Sequence, residues 1–226
     1  IEAIGKRFNV HPLVLEDVVN TGQRPKAEDS GDYLFFVIKM LHYPESTCEM
    51  ESEQLGFVLG GSFLLTFRES QGPEFDEIRE RIRSGKGRLR TAGVDYLAYA
   101  LVDSVVDDYF LTLERLAERI EILEDDLVTD PTADTLETIH RLKTDMIFLR
   151  RSVWPLREII NRLILSDGGL VRHSSVPYWR DVYDHTIHAI ETMETYREIV
   201  SGMLDIYLSS MSNKLNQTMK ILTLIA

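Results

Sequence analysis

Residues 102–127, VDSVVDDYFLTLERLAERIEILEDDL, decide the fold class. Apolar side chains recur along this stretch at alternating intervals of four and three residues, the a/d pattern of a long helix with one buried face. The positions that carry this first seam are Val102, Val106, Tyr109, Leu113, Leu116, Ile120, Leu123 and Leu127. A helix over these residues needs a partner that covers its apolar stripe.

A second seam follows after Asp130, Pro131 and Thr132 interrupt the first. Its positions are Ile139, Leu142, Met146, Leu149, Val153, Leu156, Ile160 and Leu163. Two matched seams joined by a short turn predict an antiparallel helical hairpin, which we place at 93–168. The glycines at the end of Ser166-Asp167-Gly168-Gly169 mark its expected end.

Charge divides unevenly between the two arms of the predicted hairpin. Residues 101–140 hold twelve Asp and Glu against two Arg, a net of −10, whereas 141–162 hold six Lys and Arg against two acids, a net of +4. Opposite charge favours pairing of the arms, but exposed pairs contribute only about 0–1 kcal/mol each. Burial of the seams is therefore expected to dominate.

The residues before the hairpin mix helix and strand signals. Pro12 opens a short helix over 12–20, and the aromatic and β-branched stretch 33–42 predicts a buried strand. Residues 55–59 and 62–67 flank Gly60-Gly61 and predict a β-hairpin, before an amphipathic helix that Pro73 opens. We therefore predict an α/β (α+β) N-terminal domain over 1–92, with a mixed sheet flanked by helices.

The C-terminal part predicts one long stalk helix over 175–226. Pro177 is the last proline, and only Gly202 weakens the helix after it. Fifty residues at 1.5 Å each extend about 75 Å, more than a domain of this size can enclose. The polar and almost uncharged stretch 209–218 and the apolar run 221–226 are typical of a helix that approaches a bilayer.

Composition excludes several classes of protein. The 226 residues carry 25 Lys and Arg against 37 Asp and Glu, a net charge of −12, which disfavours binding to nucleic acid and favours cations. Cys48 is the single cysteine, so an internal disulfide and a cysteine-based zinc site are excluded. No nucleophile elbow, phosphate loop or dinucleotide fingerprint occurs, and we predict that the chain is not an enzyme.

Candidate metal ligands lie in the predicted stalk helix. Asp181 and His185 are one helical turn apart, as are Asp184 and His188, and such pairs can hold a divalent cation. Carboxylates with retained waters suit Mg²⁺, whereas imidazole favours Co²⁺, Ni²⁺ or Zn²⁺. From the pattern alone, a solvated helix face is the better interpretation.

Two further acidic sites stand out by their surroundings. Glu16 and Asp17 lie near a helix C-terminus, where the helix dipole disfavours negative charge, although exposure to solvent is the better interpretation of the pair alone. Asp103 lies between apolar residues beside the first seam, and a partly buried carboxylate needs an Arg or a cation as partner. Asp107-Asp108 is interpreted as solvated helix surface.

Several motifs, in one order along the chain, resemble the CorA-type magnesium transporter family. They are HPLVLED at 11–17, QRPK at 23–26, VDDYF at 106–110, WPLRE at 154–158 and VPYWRDVYDH at 176–185, and the stretch 207–220 also fits. The family's Gly-Met-Asn signature and its two membrane helices would follow Ala226. The resemblance therefore implies the cytosolic part of such a transporter, on the cytoplasmic side of the inner membrane.

The resemblance also implies a mechanism and its residues. The family forms homopentameric channels for Mg²⁺ that also pass Co²⁺ and Ni²⁺, and cations bound between subunits keep the pore closed. Asp17 of one subunit and Asp181 of the next would bind one cation, and Glu16 and Asp103 would contribute to a second, with His185 as a supporting group. The residues that correspond to the cytoplasmic end of the pore are Asn216, Met219, Leu222 and Thr223.

Two other classes remain open at the level of the sequence. A helical scaffold that binds protein partners would explain the seams and the stalk, and it would show no effect of Mg²⁺ on thermal stability. A metal-dependent hydrolase would need its acids clustered within one subunit, which the distance along the chain between Asp17 and Asp181 does not favour.

Overall fold

A computed structural model describes residues 1–129, 131–165 and 169–225, with side chains to 223. The predicted interruption at Asp130, the expected hairpin end at 166–168 and the apolar terminus at 224–226 lie wholly or partly outside this description. The N-terminal region contains α1 (Glu2–Phe8), α2 (Pro12–Val19), β1 (Lys26–Asp29), β2 (Tyr33–His42), β3 (Glu51–Gly60), β4 (Leu64–Arg68), a 3₁₀ turn (Pro73–Phe75) and α3 (Asp76–Ser84). Three long helices follow, α4 (Val94–Thr129), α5 (Ala133–Leu165) and α6 (Val176–Ile225).

The four strands form one sheet in the order β1-β2-β3-β4, and every described pairing is antiparallel. The α/β class with flanking helices is confirmed, but the prediction of a mixed sheet is wrong in its strand directions. The physical reason lies in the connections, because a parallel pair needs a long crossover. Here residues 30–32, 43–50 and 61–63 join neighbouring strands directly, so each strand reverses direction.

The sheet is buried on both faces, which explains the continuous apolar run of β2. Phe36 and Ile38 point to the large core shared with α4 and α5, and Phe36 stacks on Phe57 with ring centroids 4.5 Å apart. Phe35 and Val37 point to the opposite face, in a smaller core with residues of α2. Alternate residues of one strand therefore join two layers of helix to one sheet.

Both predicted seams are buried at every position, which confirms the pattern of alternating four- and three-residue intervals in each arm. Their packing partner differs from the expectation, because each arm contacts α6 more extensively than it contacts the other arm. The reason is a third seam along α6 that the sequence interpretation did not identify. Its buried positions are Val182, Thr186, Ala189, Met193, Val200, Met203 and Tyr207.

The opposite charges of the two arms do not pair with each other in the described residues. Arg150 of α5 bonds to Glu194 of α6 at 3.0 Å, whereas Arg141 pairs within its own helix with Glu137 at 3.5 Å. Insertion of α6 between the arms explains this arrangement. Basic side chains of α5 therefore face α6 and solvent, except that Arg162 donates to Ala27 O of β1 at 3.0 Å.

An ion pair between the half-exposed Arg172 and the buried Asp95 ties the segment before α6 to the start of α4. Asp95 is only 1% exposed and accepts hydrogen bonds from Arg172 N at 2.9 Å and from Arg172 Nε at 3.0 Å. Gly93, at φ 95°, lacks a side chain where the Arg172 guanidinium lies. This tie aligns the first turns of α4 and α6 and brings their acidic residues side by side.

Candidate metal centre

Three residues of α4 and α6 converge on one point. Asp103, Asp107 and His185 each offer a ligand atom, and these atoms all lie within 4.8 Å of one another. Asp103 and Asp107 are one turn apart on α4, so their side chains share a face. His185 reaches the pair from α6, which packs against α4 along its third seam. The arrangement is a compact set of two carboxylates and one imidazole.

The charge of Asp103 is poorly compensated. Burial raises the pKa of Asp103 above its ordinary value, and the neighbouring carboxylates of Asp107 and Asp181 raise it further. The hydrogen bond from Tyr99 and the proximity of His185 oppose this shift but do not cancel it. A cation beside these carboxylates would supply the missing positive charge.

Tyr99 fixes the orientation of the Asp103 carboxylate. Its hydroxyl donates to Asp103 Oδ2 at 3.1 Å. The Tyr99 ring lies 5.3 Å from Tyr178 and 6.2 Å from the fully buried Trp179, both in the first turns of α6. Burial raises the pKa of Tyr99, and so does Asp103, so the hydroxyl stays protonated and remains a donor. The aromatic contacts therefore hold Asp103 towards the cluster.

An acidic cleft of about 180 Å³ opens beside the cluster, between α3 and α4. Asp103 and Asp107 line one wall, while Glu74, Glu77 and Arg81 line the other. Glu74 is neutralised by Arg68, 2.9 Å away, so three carboxylates against one guanidinium give the cleft a negative potential, which concentrates cations from solvent. The cleft thus offers a hydrated cation a route to Asp103.

The acidic pair of α2 lies apart from this cluster. Asp17 Oδ2 accepts a hydrogen bond from Lys26 Nζ at 2.7 Å, and Glu16 is exposed. Burial lowers the pKa of Lys26, but its hydrogen bonds to Asp17 and Glu28 outweigh burial and raise it. The cluster formed by the described residues includes neither Glu16 nor Asp17.

Asp181, the second member of the expected intersubunit pair, lies one turn before His185 and is exposed. Its carboxylate is close enough to raise the pKa of Asp103, although it is not one of the three converging ligands. Asp181 therefore stands at the exposed margin of the cluster. That position leaves it open to a group from outside the chain.

Asp107 is the functional candidate that the sequence interpretation missed. It was assigned to solvated helix surface, and it is indeed exposed, yet it shares the cluster with Asp103. Its i,i+4 spacing from Asp103 was the available signal. The spacing alone was insufficient because the third ligand comes from a helix 78 positions further along the chain.

The four predicted pore residues lie on the last turns of α6. Asn216, Met219, Leu222 and Thr223 are all exposed, with Met219 at 58% and Leu222 at 57%. Thr223 Oγ1 donates to Met219 O at 2.8 Å, within the helix. Among the described residues, the helices lack the combined length and apolarity that a bilayer crossing requires.

A sequence model of the CorA-like Mg²⁺ transporter protein family matches residues 1–226. The chain is 46% identical, over its full length, to the cobalt/magnesium transport protein CorA of Thermotoga maritima, and it spans 64% of that protein. It is 28% identical to the putative metal ion transporter YfjQ of Bacillus subtilis, with 97% of this chain and 67% of that protein covered.

Solved structures show the same fold. The complete CorA magnesium transporter of Methanocaldococcus jannaschii superposes with a TM-score of 0.84 at 22% identity, covering 99% of this chain and 70% of that chain. The soluble domain of the same protein gives a TM-score of 0.79 at 21% identity, covering 92% of this chain and 82% of that chain. The sheet and the three long helices are therefore an architecture already seen in metal transporters.

Proposed function

Because the chain belongs to the CorA-like Mg²⁺ transporter protein family, we propose that it is the cytosolic metal-sensing and gating part of a divalent-cation channel. The observation that carries this proposal is the convergence of Asp103, Asp107 and His185 within 4.8 Å. The raised pKa of Asp103, caused first by burial and then by Asp107, supports it, because a bound cation would relieve both effects.

The donor set fits a divalent cation. Asp103 and Asp107 supply the hard oxygen ligands that Mg²⁺ takes alongside retained waters, and His185 extends the range to Co²⁺ and Ni²⁺. Tyr99 holds Asp103 in position, and Glu77, which lines the same cleft, adds negative potential that attracts the ion. Few carboxylates and many waters give weak binding, which suits a sensor of an abundant ion.

We further propose that Asp17 and Glu16 of one subunit face Asp181 of the next in a homopentamer. Glu16 and Asp181 are exposed, so a group from outside the chain can approach both, whereas Asp17 is half-buried and would exchange Lys26, 2.7 Å away, for the cation. Five copies would carry five times −12, or −60, and the carboxylates at each boundary repel one another without cations. Release of Mg²⁺ would let the subunits separate, and α6 would transmit the movement towards Asn216, Met219, Leu222 and Thr223.

Thermal unfolding in the presence of MgCl₂ or CoCl₂ tests the sensing role. We expect the melting temperature of the wild-type chain to rise with metal concentration, because ligand that binds only the folded state stabilises it. Asp103→Asn with Asp107→Asn should reduce this rise and raise the metal-free melting temperature, since two repelling charges are removed. Asp125→Asn, an exposed change elsewhere on α4, should leave the metal response unchanged.

A flat response of the wild-type chain to both metals would contradict the proposal and favour the helical scaffold.

For the intersubunit sites, Asp17→Asn with Asp181→Asn should remove Mg²⁺-dependent protection from protease. Protection that survives this double change would show that these two residues do not hold the ion.

A further inference from the structure

Four arginines surround a pocket of about 410 Å³ on the side of the molecule where α5 and α6 meet the loop after α2. Arg150 and Arg151 come from α5, Arg197 from α6 and Arg24 from the loop. No acidic residue lines this pocket, although the chain as a whole carries −12. We call it the arginine pocket, and none of its residues belongs to the metal centre.

The positive charge of the arginine pocket is only partly neutralised from within the chain. Glu194 accepts from Arg150 Nε at 3.0 Å and from Arg197 Nη2 at 2.7 Å, so one carboxylate is shared by two guanidinium groups. Arg24 and Arg151 make no hydrogen bond or ion pair within 1–129, 131–165 and 169–225, and Arg197 Nε is buried without a partner. At least two positive charges and several donors therefore remain for a ligand.

The remaining wall of the arginine pocket is apolar and aromatic. Trp154, Ile147 and Pro155 complete it, and the Trp154 side chain is 39% exposed. The guanidinium carbons of Arg150 and Arg157 lie 5.1 and 5.2 Å from the Trp154 ring, in the range of cation–π contact. Guanidinium planes and indole rings both stack on planar bases, so a base can stack on this layer of Trp154 and its arginines.

From this geometry we propose that the arginine pocket binds a nucleoside polyphosphate. Arg24 and Arg151 would bind phosphate oxygens through paired N–H donors, for which guanidinium is well shaped. The base would lie on the Trp154 side, against Ile147 and Pro155. The volume lies in the range of small-molecule sites, and a triphosphate offers enough negative charge to match the two unpartnered arginines. A lone phosphate would leave the apolar wall empty.

Fluorescence titration with ATP, in EDTA so that the metal centre is silent, tests this inference. The chain has two tryptophans, and Trp179 is fully buried, so a saturable change in emission reports on Trp154. Arg24→Gln and Arg151→Gln should each weaken ATP binding about tenfold or more, since each removes charge-assisted hydrogen bonds. Arg83→Gln, an exposed change on α3 with the same loss of charge, should alter the affinity less than about twofold.

Tripolyphosphate, followed by calorimetry, separates the contribution of the base from that of the phosphates. We expect ATP to bind more tightly than tripolyphosphate, and Trp154→Leu to remove most of that difference. Equal loss of affinity in Arg83→Gln and Arg151→Gln would overturn the site, because binding would then follow net charge alone. A changed sedimentation coefficient of ligand-free Arg151→Gln would also overturn it, since a second copy of the chain would then occupy the pocket.

Discussion

Asp145 has surroundings that conflict with its charge. It lies on α5, is 8% exposed, and its Oδ2 is buried without a hydrogen-bond partner. Burial raises the pKa of Asp145 to about 6, with Arg141 opposing the shift and Glu49 adding to it. The folded protein therefore holds this proton more tightly than the unfolded chain. The stabilisation that comes from protonated Asp145 is full below about pH 4 and is lost as the pH rises through 6.

Asp145→Asn should stabilise the protein at pH 7.5 by about 3 kcal/mol, since the pKa rises by about two units from 3.8 and one pKa unit corresponds to about 1.4 kcal/mol. At pH 4 the gain should disappear, because the wild-type side chain is then already neutral. Urea unfolding at both pH values measures the difference, with the exposed Glu118→Gln as control. The same gain at pH 4 and pH 7.5 would show that packing, and not ionisation, is responsible.

At the metal centre, the sequence predicted a residue where its neighbours along the chain already marked it as unusual. Asp103 stood out because apolar residues of its own helix surround it, and it is half-buried beside Asp107 and His185. The membership of Asp107 depends on α6, which no local pattern reveals. The residues contributed by a neighbouring subunit remain predictions, because a single chain contains only one side of that boundary.

Among the elements, α6 has the largest effect on the arrangement of the others. Its third seam lies between the arms of α4 and α5, and its first turns are held by the ion pair between Arg172 and Asp95. The sequence predicted the length of α6 from the absence of proline. It did not predict the packing partner, because a/d spacing shows that a face is buried and not which helix covers it.

Met193→Ala tests the third seam. Met193 is 4% exposed, so truncation should cost about 2–4 kcal/mol through lost burial and the cavity left behind. Ile199 on the same helix is 36% exposed, and Ile199→Ala should cost less than about 1 kcal/mol. Urea unfolding gives both values. Equal costs would contradict the burial of α6 between the two arms.

Arg172→Ala tests the tie between α4 and α6. Loss of the guanidinium leaves Asp95 as a buried charge without its main partner, and we expect a cost of about 2 kcal/mol at neutral pH. Burial alone would raise the pKa of Asp95, but the hydrogen bonds from Arg172 and Ser175 lower it, so the stabilisation should fade in acid.

A double-mutant cycle with Asp95→Asn isolates this interaction. The coupling energy at pH 7 should shrink as the pH falls below about 4, where an unfolded aspartate takes up its proton. Arg180→Ala, an exposed change on α6, should cost little at either pH. A coupling energy near zero at pH 7 would mean that Arg172 contributes only through its aliphatic packing.

For the whole molecule, local patterns predicted the succession of an α/β domain, two seam helices and a stalk. Short connections explain the antiparallel sheet, which the prediction of a mixed sheet missed, and strand order and the sharing of its two faces depend on contacts far apart in the chain. Residues 212–223 of α6 are exposed, although Lys214 Nζ donates to Pro131 O at 3.3 Å.

Sedimentation tests the proposed link between metal and assembly. Each copy carries −12, so association without cations works against charge repulsion, and Mg²⁺ at the boundaries should raise the sedimentation coefficient. KCl at matched ionic strength screens charge without occupying a site, and it should produce a smaller rise. Asp17→Asn should weaken the Mg²⁺ effect, whereas the exposed Asp32→Asn on the β1–β2 connection should not. If KCl reproduced the full effect of Mg²⁺ in the wild-type chain, general screening would explain assembly, and Asp17 would have no specific role in it.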